Sequence, residues 1–192
     1  GSSGYGKTFV GLDDGAFKRE DSVKDMGAFL DALAKDPSLD AARFALTGRS
    51  YGGYMCYAAA VWFADKLTST HCVVAISNFV TFLETTQSYR RDLRRVEYGD
   101  ERDPQMQKVF DQISPLKNAG RIRSGLMVVH GVNDPRVPFS EAQQIEAQVL
   151  SQGQTVWSVS TYITSNGVGV QLDREDVFNG FSTYVGSTSP FL

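Results

Sequence analysis

Residues 48–52 read Gly-Arg-Ser-Tyr-Gly, a G-x-S-x-G pentapeptide in which a serine hydroxyl is held out at the tip of a sharp turn between a strand and a helix. Glycines two positions to either side, Gly48 and Gly52, leave room for the strained backbone of such a turn, and Gly53 extends the small stretch. A serine so placed is a nucleophile for acyl transfer, provided that a base takes its proton and a carboxylate orients the base. Asp134 offers the carboxylate, in a loop just after the apolar run that ends at His130. The base should be a histidine following both. The chain has only two, His71 and His130, and both precede Asp134. His71 opens a strand-like run far upstream and reads as structural, whereas His130 lies too near Asp134 in the chain for the usual geometry.

The elements needed to position Ser50 and Asp134 are legible around them. Arg43–Thr47 is a short apolar run of strand length, and the small-residue stretch Tyr54–Ala64 suits a helix, so Ser50 falls between strand and helix. Cys72–Ile76 and Gly125–His130 are continuous apolar runs, the pattern of parallel strands covered on both faces. Apolar residues Val23, Met26, Phe29, Leu30 and Leu33 recur at helical spacing between Arg19 and Asp36, with Pro37 ending the run. Phe139–Ser151 predicts another helix, closed by Gly153, and Thr155–Val159 one more strand. Strands alternating with helices imply an α/β fold with a parallel sheet wound by right-handed crossovers.

Between Asn78 and Ala119 lies a charged, aromatic insertion whose run Arg90, Arg91, Arg94 and Arg95 reads as a solvated helical face paired with Asp92, Glu97 and Asp100. The segment 158–192 is atypical: Ser, Thr, Gly and Val dominate up to Val170 without helical periodicity, and Arg174–Val185 then regains a helical pattern.

With 192 residues, 42% of them hydrophobic and 21% charged, the chain is long enough for one sizeable core. A net charge of −3 with interspersed signs gives no reason to expect nucleic acid. No apolar run approaches the roughly 20 residues of a membrane span. Cys56 and Cys72 lack metal-ligand or disulfide-framework spacing and are expected as buried free thiols. A soluble, cytoplasmic protein is expected, with a periplasmic or secreted one as the alternative, and no metal or organic cofactor is implied.

Four segments together carry a family resemblance: Ser3-Gly4-Tyr5-Gly6, Gly48-Arg49-Ser50-Tyr51-Gly52-Gly53-Tyr54-Met55, Ile76-Ser77-Asn78-Phe79, and His130-Gly131-Val132-Asn133-Asp134-Pro135-Arg136-Val137-Pro138. Over residues 1 to 157 the chain resembles the catalytic domain of the prolyl oligopeptidase family, especially its dipeptidyl-peptidase and acylaminoacyl-peptidase-like members. The resemblance implies an α/β-hydrolase fold, here without its N-terminal strands, and a serine peptidase that cleaves short peptides through an acyl-enzyme. It makes Ser50 the nucleophile, Asp134 the triad acid and the Tyr51 amide an oxyanion donor. It also makes Arg136 a grip on a substrate carbonyl, and Ile76, Phe79 and Phe82 the wall of the pocket for the residue before the scissile bond, although core packing explains those three equally well. The family's histidine would stand where this chain has Asn166, and an amide cannot take the serine proton. A carboxylesterase and a non-catalytic relative are the rival readings. Upstream, the resemblance implies further strands, a second oxyanion donor and a β-propeller that gates access, and it makes the opening Gly1-Ser2-Ser3-Gly4 native sequence.

Overall fold

A computed structural model describes residues 3–13, 15–164 and 167–172. Its first long helix follows from the apolar stripe read above: after the short α1 (Lys7–Val10), α2 spans Arg19–Leu33, and Val23 and Leu30 are buried on its inner face. The order continues β1 (Ala45–Arg49), α3 (Tyr51–Trp62), β2 (Ser69–Val73), α4 (Phe79–Thr85), α5 (Ser88–Tyr98), α6 (Pro104–Ile113), a 3-10 helix (Pro115–Arg121), β3 (Gly125–Gly131), α7 (Ser140–Ser151), β4 (Val156–Thr164) and β5 (Gly167–Leu172).

The strands form one sheet in the order β1-β2-β3-β4-β5. The first four are parallel, and β5 returns antiparallel on β4. The register aligns Gly48 with Cys72, Cys72 with Val128 and Val128 with Ser158. One face of the sheet carries Thr70, Cys72, Leu126, Val128 and Val156, all buried beneath Cys56, Tyr57, Ala60 and Val61 of α3 and Ala142, Ile145 and Val149 of α7. Burying a large aliphatic side chain there contributes about 1.5–3 kcal/mol.

Several expectations are corrected by these elements. The apolar run at Cys72–Ile76 is not itself the strand: β2 ends at Val73, and Val74, at φ 48°, turns the chain away from the sheet while its amide donates to the Val129 carbonyl at 2.7 Å. Among the described residues, helices do not cover both faces, and β3 alternates between buried and half-buried residues. The helices α3 and α7 pack on a single face; on the other, Val73, Met127, Val129 and Trp157 are half-buried and Val159 is buried. The expected strand Thr155–Val159 extends to Thr164, because β-branched residues without helical periodicity continue the ladder into a hairpin. The helical pattern of Arg174–Val185 lies outside the described residues.

The cysteines are also not free. Cys56 of α3 and Cys72 of β2 are joined as a disulfide, both without solvent exposure. Their sequence spacing gave no sign of this, because the pairing depends on the elbow folding α3 back over β2. The bond closes a loop of 16 residues in sequence separation, and such a loop stabilises by about 3 kcal/mol through the unfolded chain. A Cys56→Ala/Cys72→Ala double variant is therefore expected to unfold at lower denaturant concentration, by an amount equivalent to about 3 kcal/mol. Alkylation of the unreduced, denatured protein followed by mass measurement should leave both cysteines unmodified.

Candidate active site

Ser50 sits between β1 and α3 with φ 58° and ψ −119°, a backbone region that non-glycine residues enter at a cost of about 1–3 kcal/mol. The surroundings hold it there. Its amide donates to the Val73 carbonyl at 3.0 Å, and its carbonyl accepts the Tyr54 amide at 3.1 Å as the first turn of α3. The consequence is a serine that stands exposed at the helix N-terminus.

The glycines around it are not equivalent. A Cβ built on Gly48 would lie 2.0 Å from the Gly52 carbonyl oxygen, and one on Gly53 would meet Ala75 Cβ at 2.6 Å and Val73 O at 2.8 Å. A Cβ on Gly52 would meet nothing within 4 Å. The reading that crowding demands glycine on both sides of the serine is thus right for Gly48 and not for Gly52; Gly53, which packs α3 onto the exit of β2, is the second required one.

Tyr51 opens α3, so its amide is among the first-turn donors that have no partner within the helix. That end also carries the positive pole of the helix dipole. The Tyr51 ring stacks on Tyr98 at 6.1 Å between centroids, and the guanidinium of Arg19 lies 5.4 Å from the Tyr51 ring and 4.9 Å from that of Tyr98. Arg19 is only 7% exposed and donates to the Glu97 carbonyl at 2.9 Å. The sequence reading missed it, because an arginine opening an amphipathic helix carries no mark of burial.

Asp134 follows β3 at the carboxyl edge of the parallel sheet, the edge from which Ser50 leaves β1. Its Oδ1 accepts the amides of Arg136 at 2.7 Å and Val137 at 3.0 Å, and Oδ2 has no hydrogen bond among the described residues. The loop is pinned from several sides: Val132 donates to the Thr161 carbonyl at 2.7 Å, the Thr86 hydroxyl to the Arg136 carbonyl at 2.8 Å, and His130 Nε2 to the Val137 carbonyl at 2.9 Å. A carboxylate so fixed, with one oxygen uncommitted, is suited to orient an imidazole.

Neither histidine is free for that part. His130 is 1% exposed, its Nε2 proton is engaged by Val137, and burial pushes its pKa down. His71 lies in β2 with its Nδ1 3.3 Å from the Thr47 hydroxyl. Asn166 lies outside the described residues.

The side chain of Arg136 is exposed. Ile76, Phe79 and Phe82 are 3%, 0% and 1% exposed, and Phe79 packs edge-on to Tyr54 and against Tyr98 and Phe110. As placed, they are core. The arginine run behaves largely as read: Arg94 pairs with Glu97, and Arg95 with Asp92 and Glu101. Glu101 is itself buried, and the Arg95 guanidinium holds its carboxyl below the usual range. Among the described residues no group of histidine, cysteine and acidic side chains is arranged to hold a metal ion, and no helix is long and apolar enough to cross a membrane.

The chain is similar to known proteins in sequence and in fold. The chain is 30% identical over 158 residues to the uncharacterized peptidase YuxL of Bacillus subtilis (strain 168), covering 80% of this chain and 23% of that protein. It is 31% identical over 152 residues to dipeptidyl aminopeptidase BIII of Pseudoxanthomonas mexicana, covering 76% and 21%. The uncomplexed acylaminoacyl peptidase of Pyrococcus horikoshii superposes with a TM-score of 0.69 at 22% identity, over 82% of this chain and 25% of that one, a likeness of fold. The chain thus spans about a quarter or less of the length of these proteins. A sequence profile described as the Prolyl oligopeptidase family matches residues 1–176, and with the α/β architecture and the strained, exposed serine already in place, the chain belongs to that family.

Proposed function

We propose that this chain is the catalytic portion of a serine peptidase that cleaves short peptides through an acyl-enzyme on Ser50. The observation that carries the reading is the pairing of an exposed Ser50 in a left-handed backbone conformation with Asp134 at the same edge of the sheet. Attack by the Ser50 hydroxyl on the substrate carbonyl forms a tetrahedral intermediate whose oxyanion takes the Tyr51 amide, at the positive end of α3. Asp134 Oδ2 is the oxygen that would hold an imidazole able to receive the serine proton and return it to the leaving amine, a part that neither His71 nor His130 is placed to play. By the family resemblance, that base would stand at the position of Asn166.

Arg136 presents a fixed fork of donors to a substrate carbonyl, and Ile76, Phe79 and Phe82, buried in the cluster against which Tyr51 packs, stand behind the place of the residue before the scissile bond. The related enzymes carry dipeptidyl and acylaminoacyl peptidase names, and the substrate class follows theirs. A β-propeller restricting access belongs to the longer protein. The buried Cys56–Cys72 bond favours an oxidising compartment over the cytoplasm.

A panel of aminoacyl and peptidyl anilides set against simple acyl esters tests the assignment. In an Asn166→His variant, which restores a base at the position the family resemblance gives it, turnover above the Ser50→Ala background should favour the anilides. Hydrolysis confined to the esters would assign a carboxylesterase instead.

A further inference from the structure

Glu141 stands in the first turn of α7, where a sequence shows only an ordinary acidic residue near a helix start. In the fold it is entirely buried. Its Oε2 accepts the backbone amides of Ser77 and Asn78, both at 2.9 Å, and the Ser77 hydroxyl at 3.0 Å. Its Oε1 accepts the Thr81 hydroxyl at 2.5 Å. The Ser77 hydroxyl also reaches the Glu141 carbonyl at 2.7 Å, and Gln144 Nε2 donates to the hydroxyls of Ser77 at 2.8 Å and Thr81 at 2.9 Å. Burial outweighs these bonds and pushes the carboxyl above the usual glutamate value.

What the carboxylate joins gives it a purpose. On one side is the segment of Ile76, Phe79 and Phe82, which leaves β2 just after the Val73 carbonyl that holds the Ser50 amide. On the other is α7, which begins a few residues after the Asp134 loop. Two adjacent backbone amides that would otherwise be buried without partners close on one oxygen. A buried amide left unmet costs more than the bond contributes when made, so the wall segment has one place to sit.

We propose that Glu141 is a positioning residue that fixes the Ile76–Phe82 wall relative to the loop carrying Asp134, and so sets how tightly the residue before the scissile bond is held. The proposal rests on the reading of Ser50 as nucleophile and of that segment as pocket wall. It concerns selectivity rather than reactivity, which gives a readout that loss of structure alone would not produce.

Two fluorophosphonates with the same warhead, one bearing a benzyl and one a methyl group at the position of the residue before the scissile bond, are used to label the full chain. Glu141→Ala should lower the benzyl-to-methyl ratio of Ser50 labelling rates about tenfold, while Glu141→Gln, which keeps an acceptor for both amides, should stay within about twofold. Equal slowing of both probes, or an unchanged ratio, overturns the proposal. Labelling that persists in Ser50→Ala would instead overturn the nucleophile assignment and leave Glu141 to a second measurement. That measurement is amide hydrogen exchange: in Glu141→Ala the Ser77 and Asn78 amides should exchange about 100-fold faster, with the amides of β1 and α3 unaffected. Uniform acceleration, or none at Ser77 and Asn78, would contradict the clamp independently of any labelling.

Discussion

Gly48→Ala is expected to destabilise the chain by about 3 kcal/mol or more and to abolish reactivity at Ser50, whereas Gly52→Ala is expected to leave both intact. The difference is geometric. A methyl group on Gly48 would stand 2.0 Å from the Gly52 carbonyl oxygen, a backbone atom that cannot swing aside without unwinding the start of α3. On Gly52 the same methyl meets nothing within 4 Å, and the residue is already helical, so alanine should be neutral or gain up to about 1 kcal/mol of helix propensity. Denaturant midpoints at constant slope measure both. A neutral Gly48→Ala would mean that the elbow relaxes, and with it the strain at Ser50.

The second large effect is a lack of turnover. Removing the histidine of a triad costs on the order of 10⁶-fold in kcat, leaving about 10³ to 10⁴ over water from binding and the oxyanion hole. His130 is buried with its Nε2 proton on the Val137 carbonyl, and His71 is paired with Thr47 within the sheet. Neither is placed to serve Ser50. Chromogenic aminoacyl anilides should therefore be hydrolysed at rates indistinguishable from those of Ser50→Ala, and His130→Ala should change nothing. Clear turnover lost in His130→Ala, with the denaturant midpoint unchanged, would name that residue as the base.

How much of this was legible beforehand depended on whether the signal was local. The strand, turn and helix around Ser50 follow from a short apolar run, a glycine-rich pentapeptide and a small-residue stretch, all adjacent in sequence. Asp134 was equally plain, because a carboxylate just past a buried strand can only emerge at the sheet edge. The end of β2 was not, because Val74 is β-branched and reads as strand, yet sits at positive φ where the ladder stops. Burial of Glu141 and Arg19 and the joining of Cys56 to Cys72 were illegible for a related reason. Each depends on partners dozens of residues away or across a crossover, and a lone acidic, basic or thiol residue has the same local pattern whether it is solvated or enclosed. For Phe79 and Phe82 the sequence leaves pocket wall and core packing equally open, and packing against Tyr54, Tyr98 and Phe110 is visible only in the fold.

Locating the adduct of a fluorophosphonate by peptide mass mapping tests the central claim most directly. The expected result is a single, slowly formed phosphonyl adduct on Ser50, absent in Ser50→Ala and in Gly48→Ala, whose added methyl collides with the start of α3. An adduct formed equally fast on another residue, or hydrolysis of peptidyl substrates that survives Ser50→Ala, would contradict it.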